Sequence, residues 1–200
     1  FATLVENRDN NTGGHVRRTS AYVSLLVNTL RVKGHYSELL TKDFINNLEM
    51  ASPLHDIGKI STPDAILQKP GKLTDEEYSI MKEHSEKGAK IIKDTFGKHG
   101  NEDFIKTAYE VALYHHEKWN GKGYPVGLKG MEIPLAARIM SIADVFDAVS
   151  QKRCYREALP LDTCFEIIKK GRELDFDPLL VDLFMEIRPQ VEEIYNITLS

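Results

Sequence analysis

The sequence has little cysteine and no long apolar run. Cys154 and Cys164 are the only two cysteines among 200 residues, and their spacing fits neither a CxxC redox pair nor a zinc ribbon. Both are therefore predicted to be reduced packing residues, which suits the cytosol. No stretch of about 18 apolar residues occurs, so we expect no membrane contact by this segment. These absences predict a cytoplasmic domain.

The chain also lacks a strong excess of either charge. It has 26 Lys and Arg residues against 30 Asp and Glu residues, which gives a formal net charge of −4. Such a balance gives no overall attraction to a DNA or RNA polymer or to an anionic membrane. A small phosphate-bearing ligand could still bind where cationic side chains converge locally.

Length and composition fit one globular domain spanning residues 1–200. Hydrophobic residues make up 42% of the chain and charged residues 28%, both ordinary for a folded domain. A chain of this length can bury a core without disulfide or metal support. Because the first residue is Phe1 and not Met, we expect the domain to belong to a longer regulatory protein, in which a membrane anchor could lie elsewhere.

The hydrophobic pattern predicts an all-α fold. No alternating strand pattern persists, whereas apolar residues recur at helical spacing over most of the chain. A capping box at Thr74 and Glu77 is predicted to begin the helix that runs to about Phe96. The glycine- and proline-rich segment 118–133 is predicted to be a long loop, and such loops are often functional. The predicted helices cover residues 15–33, 41–51, 63–67, 75–96, 102–117, 134–150, 161–172 and 178–195.

Two pairs of adjacent residues point to metal chemistry. His55 is followed by Asp56, and His115 by His116. Adjacent helical residues point about 100° apart, so each pair suits two metals better than one, and the two oxygens of Asp56 could bridge them. Imidazole with carboxylate suits iron, manganese or zinc. A lone histidine is more often structural, which is the interpretation kept for the other loop histidines, His35 and His99.

Two longer segments resemble a known family. The sequence Leu54–Ile60, LHDIGKI, resembles the motif of the HD hydrolase superfamily, and His115–Pro125, HHEKWNGKGYP, matches the HHExxxGxGYP motif of its HD-GYP branch. The likeness extends from residue 9 to about residue 180. The chain is therefore identified as a member of the HD-GYP family of metal-dependent phosphohydrolases. The resemblance implies a single-domain helical bundle of the HD type with a glycine-rich GYP loop.

The resemblance also implies seven metal ligands. A first metal would be held by His15, His55, Asp56 and Asp144. A second metal would be held by His84, His115 and His116, with Asp56 as the bridge. Iron and manganese are the expected transition metals.

One position departs from the family pattern. Some members carry a Glu four residues before the first ligand histidine, and this Glu supports a third metal. The corresponding residue here is Asn11, whose amide brings no negative charge. We therefore predict two metals and no third.

The expected reaction is hydrolysis of cyclic di-GMP to pGpG, to GMP, or to both. Two cations about 3.5–4 Å apart would activate a shared, bridging hydroxide and neutralise charge on the phosphoryl oxygens. By resemblance, Asp56 and Lys59 are the catalytic residues. Lys59 also contacts the scissile phosphate, together with the other predicted substrate-binding residues, Tyr124, Arg153 and Arg156.

Two further residues near the motif have open interpretations. Trp119 could stack on a guanine base or on the protein's own surface. Glu117 could support a ligand histidine or be a solvated acid.

Alternative functions keep the same fold. The substrate could be another cyclic dinucleotide such as cyclic GMP-AMP, because base recognition is not legible in one sequence. A non-catalytic signalling or interaction module is disfavoured because all seven ligands are present. A nucleotide hydrolase of the HD type is disfavoured, because such an enzyme need not carry the His115-His116 and GYP elements that are present here. The resemblance leaves open an upstream sensor or receiver domain, a diguanylate cyclase partner and a homodimer.

Overall fold

The computed structural model describes residues 2–9, 14–97, 101–152 and 158–199, which fold into helices joined by turns and one long loop. Only isolated β-bridges occur in these ranges, for example Asn120 with Lys129, so the all-α prediction is confirmed. The helices are α1 (Ala2–Arg8), α2 (His15–Val32), α3 (Lys42–Ala51), α4 (Asp64–Leu67), α5 (Asp75–Lys82), α6 (His84–Phe96), α7 (Glu102–Tyr114), α8 (Leu135–Ser150), α9 (Leu161–Lys170), α10 (Pro178–Glu186) and α11 (Arg188–Leu199). Short 3-10 helices cover Ser52–Leu54, Ile57–Ser61 and Gly130–Glu132.

The larger core forms around α8, which is buried along most of its length. The Phe146 ring lies 4.9 Å from Phe165 of α9, 5.2 Å from Phe184 of α10 and 5.3 Å from Tyr22 of α2, between ring centroids. Burying each such side chain stabilises the fold by roughly 1.5–3 kcal/mol. Cys164 is buried in this core, as expected of a packing residue, whereas Cys154 lies outside the described residues.

A smaller core joins α6 and α7 to the segment after α3. Its buried members include Ile57, Ile92, Ala108 and Ala112. Helix α7 joins the two cores, because its Val111 belongs to the larger core while its Ala108 and Ala112 belong to the smaller one. Within the described part of the chain, no helix has both the length and the apolar character needed to cross a bilayer.

Several predicted helix boundaries were wrong. The helix expected to run from 75 to 96 breaks at Glu83, where the Met81 carbonyl accepts a hydrogen bond from Nδ1 of His84. The capping box at its start, with Thr74 and Glu77, is confirmed. The helix expected over 178–195 breaks at Ile187, and α1 was not predicted.

Gly58 lies where the segment after Asp56 meets helix α6. A Cβ atom built on Gly58 would lie 1.9 Å from the His84 carbonyl oxygen and 2.5 Å from the Gly88 nitrogen. The segment after Asp56 therefore touches the start of α6 backbone to backbone, a contact that only glycine permits. This contact sets the distance between Asp56 and His84.

We expect Gly58→Ala to destabilise the domain by about 1–3 kcal/mol, because the methyl group forces two backbones apart. Denaturant unfolding of the metal-free protein measures the change. Gly34→Ala is the control, since a methyl group there meets nothing within 4 Å and adds only the strain of φ +74°. A loss no larger than that of the control would contradict the close-contact role.

Candidate metal centre

Six predicted ligand side chains form two groups of three. In each group the potential ligand atoms all lie within 4.8 Å of one another. The two groups match the division expected from the resemblance. The first group contains His15, His55 and Asp144, and the second contains His84, His115 and His116.

Asp56 lies between the two groups and presents one oxygen to each. Its Oδ2 atom is 3.4 Å from Nε2 of His55 and 3.9 Å from Nε2 of His15. Its Oδ1 atom is 3.4 Å from Nε2 of His84 and 3.9 Å from Nε2 of His115. A carboxylate in this position can share its two oxygens between two cations.

The backbone fixes the orientation of three of the histidines. Nδ1 of His55 donates to the Ser52 carbonyl at 2.9 Å, Nδ1 of His84 to Met81 at 2.7 Å, and Nδ1 of His115 to Val111 at 2.9 Å. A carbonyl oxygen only accepts, so Nδ1 carries a proton and Nε2 is the ring atom left to bind a metal. These Nε2 atoms face the centre.

In each group, two histidine Nε2 atoms face each other at a distance that suits a cation between them. Nε2 of His15 lies 3.2 Å from Nε2 of His55, and Nε2 of His84 lies 3.4 Å from Nε2 of His115. Two lone pairs at such distances repel each other unless a proton or a metal ion lies between them. The donor set of imidazoles and carboxylates fits a transition metal.

Asp147 orients His15 and was missed in the sequence. Nδ1 of His15 donates to Oδ2 of Asp147 at 2.7 Å, and Nη2 of Arg18 donates to the same oxygen at 3.2 Å. Asp147 is 1% exposed, so Arg18 offsets a carboxylate charge that burial would disfavour. The spacing of Asp147 three residues after Asp144 on α8 was the available signal, since both then point to one side of the helix.

The pKa shifts favour the metal-binding forms in the second group. Burial, followed by the charges of His55 and His84, lowers the pKa of His115 to about 3. Burial likewise lowers the pKa of His84 and of His116. Neutral imidazole is the form that binds metals.

The negative charge of the centre lies on Asp56 and on Asp144 of the first group. Burial would raise the pKa of Asp56, but the Lys59 ammonium and then His55 outweigh burial and hold that pKa well below its ordinary value. The pKa of Asp144 is lowered in the same way, against burial, by His55 and His15. Burial disfavours the His55 imidazolium, yet the Asp56 charge raises the pKa of His55 to about 9. When no metal is bound, the proton held by His55 therefore supplies the positive charge beside Asp56 and Asp144.

Comparison with known proteins agrees with this geometry. The sequence profile of the HD domain family matches residues 1–180. The chain belongs to the HD domain family. It is 45% identical over 187 residues to a cyclic di-GMP phosphodiesterase of Vibrio cholerae, covering 94% of this chain and 38% of that protein. It is 40% identical over 186 residues to 3'3'-cGAMP-specific phosphodiesterase 2 of the same organism, covering 93% of this chain and 33% of that protein.

A solved structure shares the fold of this HD domain. A Bdellovibrio bacteriovorus protein described as HDG"Y"P aligns with a TM-score of 0.60 and 21% identity, covering 86% of this chain and 51% of that one. The HD-GYP resemblance predicted from residues 115–125 is thereby confirmed. The chain spans less than half the length of the two Vibrio cholerae relatives.

Lys59 of the HD domain lies against the bridging carboxylate. Its Nζ atom is 2.8 Å from Oδ2 of Asp56 and 2.7 Å from Oδ2 of Asp9. Burial disfavours the Lys59 ammonium, but Asp56 and Asp9 raise its pKa above the ordinary value. Lys59 is thus a charged ammonium group beside the centre. Its predicted contact with the substrate phosphate stays a prediction.

The GYP loop places Tyr124 beside the second group. The Tyr124 ring stacks on His116 with a centroid distance of 4.7 Å and an interplanar angle of 29°. Its backbone nitrogen donates to the His116 carbonyl at 3.3 Å. Burial raises the pKa of Tyr124, so its hydroxyl remains protonated and able to donate a hydrogen bond.

Both interpretations of Glu117 were wrong. Its side chain is 2% exposed, and its carboxylate accepts from the backbone nitrogens of Val126 at 2.8 Å and Gly127 at 3.0 Å. The predicted helix over 102–117 ends at Tyr114, so Glu117 lies beyond it and points into the loop. A Cβ atom on Gly123 would be 2.4 Å from the Glu117 Cα atom. Glu117 therefore binds the GYP loop to the segment that carries His115 and His116.

Trp119 packs against the protein itself. The Arg138 guanidinium carbon lies 5.9 Å from the Trp119 ring centroid. The Trp119 backbone nitrogen donates to the Asp175 carbonyl at 3.1 Å. The contact with the protein's own surface is the alternative that the structure supports.

Four further positions interpreted from the sequence lie outside the described residues. These are Asn11, His99, Arg153 and Arg156. The roles of these residues stay predictions.

We expect Glu117→Gln to lower the free energy of unfolding of the metal-free protein by about 1–3 kcal/mol, because two backbone donors of the loop lose the charge of their buried acceptor. Denaturant unfolding measures this change. Glu110→Gln is the matched control, since Glu110 is half-buried on α7 and accepts no hydrogen bond among the described residues. Equal stability of the Glu117 variant and the wild type would argue against the role of Glu117 in holding the GYP loop.

Proposed function

We propose that this chain is a metal-dependent phosphodiesterase that hydrolyses cyclic di-GMP to pGpG, to GMP, or to both. The observation that supports this most strongly is the position of Asp56, with one oxygen facing each group of histidines. The Vibrio cholerae relative named cyclic di-GMP phosphodiesterase supplies the substrate class.

The donor set accommodates two transition-metal ions, for which we propose iron or manganese. When bound, such ions would supply Lewis-acid chemistry and lower the pKa of a coordinated water. The substitution of Asn11 for a glutamate supports two ions and not three, because an amide adds no negative charge.

The chain's own groups would hold the reacting phosphodiester. Asp56 spans both groups and fixes their spacing. Lys59, already beside Oδ2 of Asp56, would offer its ammonium to the scissile phosphate and reduce the repulsion between anions. Tyr124 would donate its hydroxyl to the substrate from above His116. Arg153 and Arg156 would grip phosphate oxygens, for which the planar guanidinium is suited.

A second candidate substrate is 3'3'-cGAMP. It is favoured by the 40% identity to a Vibrio cholerae phosphodiesterase named for that nucleotide. Both nucleotides contain the same pair of phosphodiesters, so the metal centre does not distinguish them. A non-catalytic module is disfavoured, because none of the seven ligands is replaced.

The proposed setting is a cytoplasmic domain of a longer signalling protein. An upstream sensor or receiver domain would control it, and a diguanylate cyclase would make its substrate. A homodimer is compatible with this proposal.

We expect Asp56→Ala to lose both metal ions and all detectable turnover of cyclic di-GMP, because neither group retains its shared oxygen donor. Elemental analysis and chromatography of the products measure the two effects. Asp94→Asn is the control, since Asp94 is an exposed residue paired with Lys90 on α6. Full activity of metal-free or Asp56→Ala protein would contradict the mechanism, and a higher kcat/KM for 3'3'-cGAMP would reverse the choice of substrate.

A further inference from the structure

A lysine at the edge of the metal centre is held by aromatic rings. Lys82 ends α5, two residues before the ligand His84. Its Nζ atom lies 5.1 Å from the ring centroid of Tyr78 and 5.9 Å from that of Tyr124. Ammonium groups at these distances are attracted to the negative faces of aromatic rings.

The Lys82 ammonium has no carboxylate partner among the described residues. The nearby Glu83 pairs instead with Lys87 at 2.8 Å, and Glu77 pairs with Lys69 at 2.6 Å. Lys59, by contrast, is flanked by Asp9 and Asp56. Lys82 therefore contributes a positive charge that no acidic side chain in the described ranges offsets.

Tyr124 connects Lys82 to the second group of ligands. The Tyr124 ring stacks on His116, whose ring centroid is 5.0 Å from that of His84. Lys82 thus stands on the side of His84 and His116. Lys59 contacts Oδ2 of Asp56, the oxygen that faces His15 and His55. The two ammonium groups flank the centre from different sides.

A cyclic dinucleotide has two phosphodiesters in one ring. When one phosphodiester lies at the Asp56 centre, the other must lie outside it, where a further cation would offset its charge. We propose that Lys82, held against Tyr78 and Tyr124, binds this second phosphate, the one that is not being cleaved. The proposal rests on the proposed function. A lysine that only packs on two tyrosines would satisfy the same contacts, and substrates with one or two phosphates distinguish the two roles.

The test compares Lys82→Met with Lys82→Arg, and with Lys87→Met as a control in the next helix. For cyclic di-GMP we expect Lys82→Met to raise KM about tenfold to a hundredfold, the effect of one charged hydrogen bond. We expect Lys82→Arg to restore most of the loss and Lys87→Met to have no effect. For bis(p-nitrophenyl) phosphate, which has a single phosphodiester, all three variants should match the wild type, and so should their metal content.

Calorimetric titration of the metal-free protein with linear pGpG provides a reading that is independent of turnover, because pGpG is not cleaved without metal. We expect Lys82→Met to weaken pGpG binding while Lys87→Met leaves it unchanged. Wild-type KM and pGpG affinity in Lys82→Met would overturn the proposal for Lys82 alone. An equal loss for both phosphodiester substrates, or a loss of metal, would also overturn it in favour of a structural role. A wild-type protein that cleaves bis(p-nitrophenyl) phosphate but no cyclic dinucleotide would instead overturn the proposed function, and pGpG binding would still decide the role of Lys82.

Discussion

The structure depends on one shared carboxylate. Asp56 presents its two oxygens to two separate sets of histidines, and each set belongs to a different part of the helical bundle. Helices α2 and α8 supply His15 and Asp144 of the first group, and His55 comes from the short segment next to Asp56, while α6 and the residues just after α7 supply the second group. The Asp56 backbone has φ −99° and ψ 9° between two short 3-10 helices, a conformation common at active sites. The close packing of Gly58 on α6 then fixes how far this carboxylate lies from His84.

Preorganisation of the ligands explains why so many polar groups are buried here. An unpaired polar group in a protein interior is costly, yet each of four histidines has a fixed partner for Nδ1. Three of these partners are backbone carbonyls and the fourth is Asp147. The Nε2 atoms are left to converge. The repulsion that results is relieved by a cation, so the energy of metal binding and the order of the site are coupled.

Most of the metal-ligand candidates could be predicted from the sequence, but the residues that hold them in place could not. Four of the seven predicted ligands stand in two recognisable motifs, and the capping box at Thr74 follows a local rule that needs no tertiary information. Glu117 was misjudged because its partners, Val126 and Gly127, are set by the path of the loop. The break at Glu83 was missed because the apolar pattern continues across it. The contact at the break is a hydrogen bond from the His84 side chain to the Met81 carbonyl, which the pattern does not show. Asp147 was overlooked because its partner is distant in the sequence.

Titration of metal-free protein with Mn²⁺, followed by electron paramagnetic resonance, tests the central claim most directly. If Asp56 joins two adjacent ions, the protein takes up two Mn²⁺ per chain and shows the signal of an exchange-coupled pair. Uptake of a single ion, or two ions whose signals are those of isolated Mn²⁺, would contradict a shared carboxylate at the centre of this fold.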